Sequence, residues 1–240
     1  MDSPVALAEL ARLIEDRRDA ERPFVVGITG SVAVGKSTLA ARLAETITAG
    51  APTVSTAVVS SDSFLLPNAV LADRGLVMQK GYPASFDLDA LGSFLRRVRA
   101  GANDLVVPVY DHFTYDIVDG ATHALPAADV VVIEGLALLG DPAIVELLDL
   151  SVYLDADVID IEGWYVHRFV QHALRANDEP GGFWDLFAGM DAERLRESAL
   201  FTWTAINLPN LLDHVQPTRT HADIVVTKGA DHSVTSITLR

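Results

Sequence analysis

Gly30-Ser31-Val32-Ala33-Val34-Gly35-Lys36-Ser37, followed by Thr38, fits the pattern G-x-x-x-x-G-K-[ST]. Glycines at its two ends let the backbone wrap a phosphate, so loop amides and a helix amino end face negative charge. Within that frame Lys36 reaches the β- and γ-phosphates, and the Ser37 hydroxyl is set to ligate Mg2+. The context is also right. An apolar run over 24–29 precedes the loop, and Leu39, Leu43 and Ile47 mark one face of a helix over 37–48. These residues imply a nucleoside triphosphate site.

Two carboxylates fall where such a site needs them. Asp62 follows the apolar run 56–60, and Glu134 closes the run 130–133 just before Gly135. At a strand's carboxyl end, Asp62 can take a proton from an acceptor hydroxyl or bind Mg2+ through water; a turn-forming role is its alternative. Glu134 reads as a Mg2+ ligand, with a helix cap as its alternative. Tyr165, Arg168 and His172 are spaced i, i+3, i+7 on a helix predicted over 157–175, hence on one face. Arg168 suits a transferring phosphate, whereas His172 reads as part of an exposed amphipathic face. Tyr110 and His112 lie beyond the run 105–109, as ligand contacts or as packing. A base, a pocket and a phosphate loop fit a small-molecule kinase better than a switch GTPase. In Thr227-Lys228-Gly229-Ala230-Asp231 the guanine-reading aspartate's place is held by Ala230.

The elements that must carry these residues follow from composition and periodicity. The 240 residues hold 33 Asp and Glu against 18 Lys and Arg, a net charge of −15. Only Lys36, Lys80 and Lys228 are lysines. Such an acidic chain lacks the basic face that nucleic acid or an anionic membrane demands. There is no cysteine for a disulfide or a thiolate metal site. The best apolar run, 130–139, contains Glu134 and falls short of the roughly 18 residues of a membrane span. Residues 1–21 begin with Asp2 and place Val5, Leu7, Leu10, Leu13 and Ile14 at helical spacing among charges, unlike a signal peptide. A soluble, cytoplasmic protein is expected. Strands are predicted at 24–29, 56–60, 105–109, 130–133, 151–154, 224–227 and 234–239. Helices are predicted at 37–48, 88–100, 157–175 and 191–215, the last kinked or interrupted at Pro209. Alternating strands and helices imply an α/β fold, a doubly wound and largely parallel sheet with helices on both faces. The expectation is one P-loop kinase domain over 1–240, with a helical extension over 1–22. Lys228 opens a turn over 228–231 and is expected to be solvated.

Collinear segments at 27–38, 62–68, 74–76, 80–83, 108–112, 115–118, 133–136, 164–169, 203–207, 217–219 and 231–240 carry a family likeness. The most specific are Gly30-Ser-Val-Ala-Val-Gly-Lys-Ser37 and Trp164-Tyr165-x-x-Arg168-Phe169. Through them the sequence resembles the bacterial type I pantothenate kinases. The resemblance implies ATP-dependent phosphorylation of the primary hydroxyl of pantothenate, the first step toward coenzyme A. It implies Asp62 as base, Lys36 and Arg168 on the transferring phosphate, and Ser37 with Glu134 around Mg2+. It further implies that 30–38 and His232 hold ATP, that Lys80, Tyr110, His112, Tyr165 and Asn207 line the acceptor pocket, and that the protein forms a homodimer.

The chain departs from the family in four places. Ser63 stands where relatives carry glycine after the base. Ala41 replaces an arginine that binds coenzyme A phosphates, so feedback inhibition by coenzyme A is expected to be weak. The segment after Asp178 reads Phe183-Trp184 in place of a Tyr-Phe pair. Only 23 residues precede the phosphate-loop strand, where relatives have a longer arm over the nucleotide. Two other readings stay open. One is a related kinase for a nucleoside, sugar or glycerate-like alcohol, and the other a regulator that binds nucleotide or coenzyme A without turnover.

Overall fold

In the computed structural model, which describes residues 4–175 and 180–240, the run after Pro23 forms a strand buried along its whole length. In chain order the strands are β1 (Phe24–Gly30), β2 (Thr56–Ser60), β3 (Val106–Asp111), β4 (Asp116–Ala124), β5 (Val130–Glu134), β6 (Leu150–Ala156), β7 (Ile224–Lys228) and β8 (Val234–Leu239). The helices are α1 (Pro4–Arg17), α2 (Lys36–Gly50), α3 (Asn68–Asp73), α4 (Leu88–Arg99), α5 (Pro142–Val145), α6 (Val158–Arg175), α7 (Ala192–Thr202) and α8 (Leu208–Asn210). The central sheet runs β2-β5-β1-β6-β7-β8, parallel except for β8.

Alternate residues of the middle strands feed opposite faces, as the two-residue period of a strand requires. Val26, Ile28, Val130 and Val132 join Leu39, Leu43 and Ile47 of α2. Val25, Val131 and Ile133 join Leu91, Phe94 and Leu95 of α4. The Asp87 carboxylate starts α4 by accepting from the Ala90 amide at 2.8 Å. The amino-terminal helix forms as its spacing predicts, with Leu7, Leu10 and Ile14 buried in the α2 face of the core. No described helix is long and apolar enough to cross a membrane.

Two elements differ from expectation. Residues 105–109 do not enter the central sheet; β3 instead pairs antiparallel with β4 in a separate ribbon. The sequence of β4, Asp-Ile-Val-Asp-Gly-Ala-Thr-His-Ala, is largely exposed and shows no clean alternation, so periodicity did not reveal it. Over 191–215 the helical path continues through Pro209. Wider π-turns at Trp203–Asn207 and Leu211–Val215 flank α8 and relieve the missing amide and the ring clash a proline brings.

The register sets the functional edge. Ile28 and Ser60 both lie opposite Glu134, Gly30 opposite Leu154, and Ala156 opposite Lys228. Ser31, Asp62, Glu134 and Lys228 therefore gather at the carboxyl end of the sheet. Connections diverge there on either side of β1, the place where such sheets leave a crevice. At Gly135 (φ 157°) a Cβ would overlap the Ser61 hydroxyl oxygen. The turn carrying Asp62 thus approaches the end of β5 more closely than a side chain allows. Gly135→Ala is expected to lower the unfolding free energy by about 2 kcal/mol or more, from backbone strain plus overlap. Denaturant titration of the two proteins measures it, and a loss under about 0.5 kcal/mol, the range of an ordinary surface substitution, would contradict the close approach.

Candidate active site

The loop after β1 takes its shape from left-handed backbone at Gly30 (φ 142°), Ala33 (φ 65°) and Gly35 (φ 96°). α2 starts at Lys36, whose side chain is almost fully buried and donates to the Ser31 carbonyl at 2.8 Å. Burial lowers the Lys36 pKa, the charges of Glu134 and Asp62 oppose that, and Arg168 adds to it. The Ser37 hydroxyl donates to Glu134 Oε1 at 2.9 Å. The structure thus brings together the loop, the lysine and both carboxylates that spacing alone put at separate strand ends. Ser31 Oγ is buried without a hydrogen bond from the protein, while Ser37 and Thr38 face solvent at the mouth of the loop.

Asp62 sits in the short turn Ser61–Phe64, its amide donating to Ser60 Oγ at 3.3 Å. Ser63 is outside the left-handed region, so glycine's freedom is not needed there. Across from this turn stands the β3–β4 ribbon. Its corner is built by the Asp111 carboxylate, which accepts from the amides of Phe113 at 2.9 Å and Thr114 at 3.3 Å. Those bonds hold the Asp111 carboxyl below its usual range, and the corner ends on Tyr115 at φ 58°.

Lys80 reaches into the ribbon. Its ammonium donates to Asn68 Oδ1 at 2.7 Å and to the Tyr115 carbonyl, and lies 4.7 Å from the Tyr115 ring and 5.2 Å from the Tyr110 ring. Burial pulls the Lys80 pKa down, and Asp116 and Asp62 push back. Asn68 is fixed in turn by donating to the Tyr115 carbonyl at 3.1 Å and to Asp116 Oδ1 through its amide at 2.8 Å. The Tyr110 ring meets those of His112 at 5.0 Å and Tyr115 at 6.1 Å, and burial raises its hydroxyl far above the usual range.

The third wall is α6. Tyr165 is buried against Trp203, with ring centroids 5.7 Å apart. Burial pushes its hydroxyl up to about 12, against hydrogen bonds with Asn207 and Thr202 that favour ionisation. Asn207 and Tyr165 are therefore neighbours, as a common pocket requires. Arg168, one turn on, is exposed, and its charge acts on Lys36, Tyr115 and Tyr165. His172 is not on an exposed face as its spacing suggested. It is half-buried and stacked on Trp184 at 5.2 Å with 14° between the planes, because the 183–187 turn folds back over α6. Phe183 of that turn stacks on Tyr115 at 4.5 Å, so Phe183-Trp184 closes the site by a ring chain. Asp178, which precedes this turn, lies outside the described residues.

His232 (φ 64°) stacks on Trp164 at 3.9 Å, and Trp164 Nε1 donates to the Ala230 carbonyl at 3.1 Å. Lys228 corrects the expectation of a solvated turn. It is the last residue of β7, 5% exposed, and its ammonium donates to the Val34 carbonyl of the phosphate loop at 3.2 Å. Residues beyond the predicted set also build the site: Asn68, Tyr115, Asp116, Trp164 and Lys228. For Lys228 the signal was present, since a lysine directly continues a strand of buried residues toward the functional edge.

Residues 25–169 match the phosphoribulokinase/uridine kinase family. The chain is 40% identical over 246 residues to a pantothenate kinase of Sorangium cellulosum (strain So ce56), covering 98% of this chain and 80% of that one. It is 41% identical over 241 residues to a pantothenate kinase of Leifsonia xyli subsp. xyli (strain CTCB07), covering 97% and 75%. Among solved structures, a kinase of Silicibacter sp. TM1040 superposes with a TM-score of 0.70 at 25% identity, over 90% of this chain and 94% of that one.

The His172 environment makes a pH prediction. Burial first, then Arg168, Arg175 and His112, lower its pKa from 6.5. Unfolding therefore takes up a proton between the folded pKa and 6.5. Stability should be full above that window and fall as pH drops through it. Thermal melts of wild type and His172→Gln over this range should diverge, the variant lacking that slope. Parallel profiles would contradict the stacked, half-buried ring.

Proposed function

Because the chain belongs to the phosphoribulokinase/uridine kinase family of ATP-dependent kinases, and within it to the pantothenate kinases, we propose that it transfers the γ-phosphoryl group of ATP to the primary hydroxyl of pantothenate. The observation that carries the acceptor is the Lys80 site. An ammonium has three N–H groups, of which two are taken by Asn68 and Tyr115. The third, with the charge, suits a carboxylate, and pantothenate has one at the end opposite its primary hydroxyl. Tyr110, His112, Tyr165 and Asn207 supply the rings and the amide that its hydroxyls and peptide-like bond call for. Tyr110 and Tyr165, their hydroxyls raised by burial, stay neutral donors throughout the physiological range.

Asp62 takes the proton of the acceptor hydroxyl, whose oxygen forms the new bond to the γ-phosphorus. The bond from that phosphorus to the bridging oxygen breaks, and the electron pair leaves with ADP. Lys36 exchanges the Ser31 carbonyl for phosphate oxygens, and Arg168 offsets the charge of the group in flight. The nucleotide lies along 30–38, with its base toward His232 and Trp164.

The donor set around Ser37 fits Mg2+. This ion prefers one or two protein oxygens plus substrate phosphates, and the Ser37 hydroxyl and Glu134 carboxylate already converge at 2.9 Å. When bound, Mg2+ neutralises phosphate charge as it develops. ATP as donor implies the cytoplasm. Ala41 is exposed on α2 and leaves no cation at its position, which supports weak inhibition by coenzyme A. Phe201, 67% exposed, and Leu212, 45% exposed, support a self-association face along 191–215 and so a homodimer.

ADP release with MgATP, assayed against pantothenate, uridine and glycerate, tests the reading. Turnover is expected with pantothenate alone; turnover only with uridine or glycerate would overturn the acceptor, and none at all would overturn the kinase activity itself. Asp62→Asn should lower kcat by about 10²-fold or more through loss of the base, with ATP binding by calorimetry unchanged. Arg168→Ala should lower kcat by a larger factor than it weakens ATP binding, since its partner is charge that develops during transfer. Equal losses in both would assign Arg168 to ground-state binding.

A further inference from the structure

Lys228 comes from the far side of the sheet, from a strand that neither the loop nor the acceptor pocket uses. It ends β7 in register with Ala156 of β6 and Val234 of β8, so its backbone is held on both sides. Its ammonium contacts the Val34 carbonyl at 3.2 Å, and a Cβ on Gly35 would come within 2.9 Å of the same nitrogen. It therefore lies against the Val34–Gly35 peptide, immediately behind the amides of Gly35 and Lys36.

That position has a specific physical consequence. A loop that points amides at a phosphate must point carbonyls away, and a buried carbonyl needs a donor. Lys36 fills that role for Ser31, but its contact must be given up when it turns to phosphate. Lys228 fills it for Val34 from a rigid strand end, and its contact can persist. Its charge also sits behind the loop where solvent does not screen it. Beyond Lys228 the chain turns at once, with the Gly229 amide donating to the Ser233 carbonyl and the His232 amide to the Gly229 carbonyl, both at 2.9 Å. This turn sets His232 on Trp164.

We propose that Lys228 is a positioning residue for the triphosphate: by holding the Val34 carbonyl it keeps the Gly35 and Lys36 amides aimed at phosphate, and it ties the phosphate loop to the turn beside the nucleotide base. The proposal rests on the reading of 30–38 as the ATP site. It requires that Lys228 act on the phosphate chain and not on the base.

Calorimetric titration of the full chain with ATP, inorganic triphosphate and adenosine separates these effects. Lys228→Met should weaken ATP and inorganic triphosphate by about 10- to 100-fold, the range of a hydrogen bond to a charged group. Adenosine should weaken by less than about 3-fold, under half of that range on a logarithmic scale. Lys228→Arg should restore part of the triphosphate affinity and serves for the same comparison if the methionine variant does not fold. Equal weakening of adenosine and triphosphate, or no weakening of either, would overturn the role of Lys228. Lys36→Met is the reference for the loop itself. Unchanged triphosphate binding in that variant would overturn the ATP-site reading, and with it this proposal; lost binding there with intact binding in Lys228→Met sinks Lys228 alone.

Discussion

A phosphate loop is an inside-out turn, and the difficulty it creates lies on its outer surface. Turning amides inward leaves carbonyls facing the interior of the protein, where each must find a donor. Here the Ser31 carbonyl takes Lys36 and the Val34 carbonyl takes Lys228. Left-handed backbone at Gly30, Ala33 and Gly35 makes the turn, and the carboxyl end of a parallel sheet holds the groups that complete it. Strand order follows from the same need. β5 must lie next to β1 for Glu134 to reach Ser37, and β7 must be close enough beyond β6 for Lys228 to reach the loop.

The net charge of −15 is compatible with a polyanionic substrate because the site gathers the three lysines of the chain at one place. All three lysines are at or beside it, and in each the ammonium has a backbone carbonyl as a partner: Ser31, Val34 or Tyr115. The carbonyl and amide oxygens that hold Lys36 and Lys80 leave their charge available, whereas a carboxylate in their place would neutralise it. Carboxylates act on Lys36 and Lys80 as well, without a direct bond to either. Asp62 and Glu134 act on Lys36, and Asp116 and Asp62 act on Lys80. That moderates the cost of burying the ammonium groups without occupying them.

Local features written in consecutive residues were legible in the sequence, and long-range ones were legible only in part. The phosphate loop, the buried strands and the α2 and α4 faces follow from runs and periods that a few residues define. Asp62 and Glu134 were legible because a carboxylate directly after an apolar run has few other places to be. The β3–β4 ribbon was not, since an exposed strand such as Asp116–Ala124 has no buried face to impose alternation. Pro209 read as a kink or break because sequence cannot show the π-turns that absorb it. His172 and Lys228 were misplaced for one shared reason. Each is covered by a segment distant in the chain, the 183–187 turn for one and the phosphate loop for the other.

Asp62 is where the two halves of the site meet, and this constrains how the acceptor must enter. Its charge acts on Lys36 on the phosphate side and on Lys80, Tyr110 and Tyr115 on the ribbon side. A group near both can serve as base only for a hydroxyl lying between them. An acceptor whose far end is held at Lys80 must then be long enough to bring its hydroxyl back past Asp62 to the loop. The ribbon that sets this length is braced from α6 through Tyr115, Phe183, Trp184 and His172 in ring contact. Arg168 stands one turn before His172 on the same helix. The span between the Lys80 ammonium and Asp62 is therefore held by the helix that carries Arg168, so in the proposed reaction selection by acceptor length and orientation of the transferring group share one rigid support.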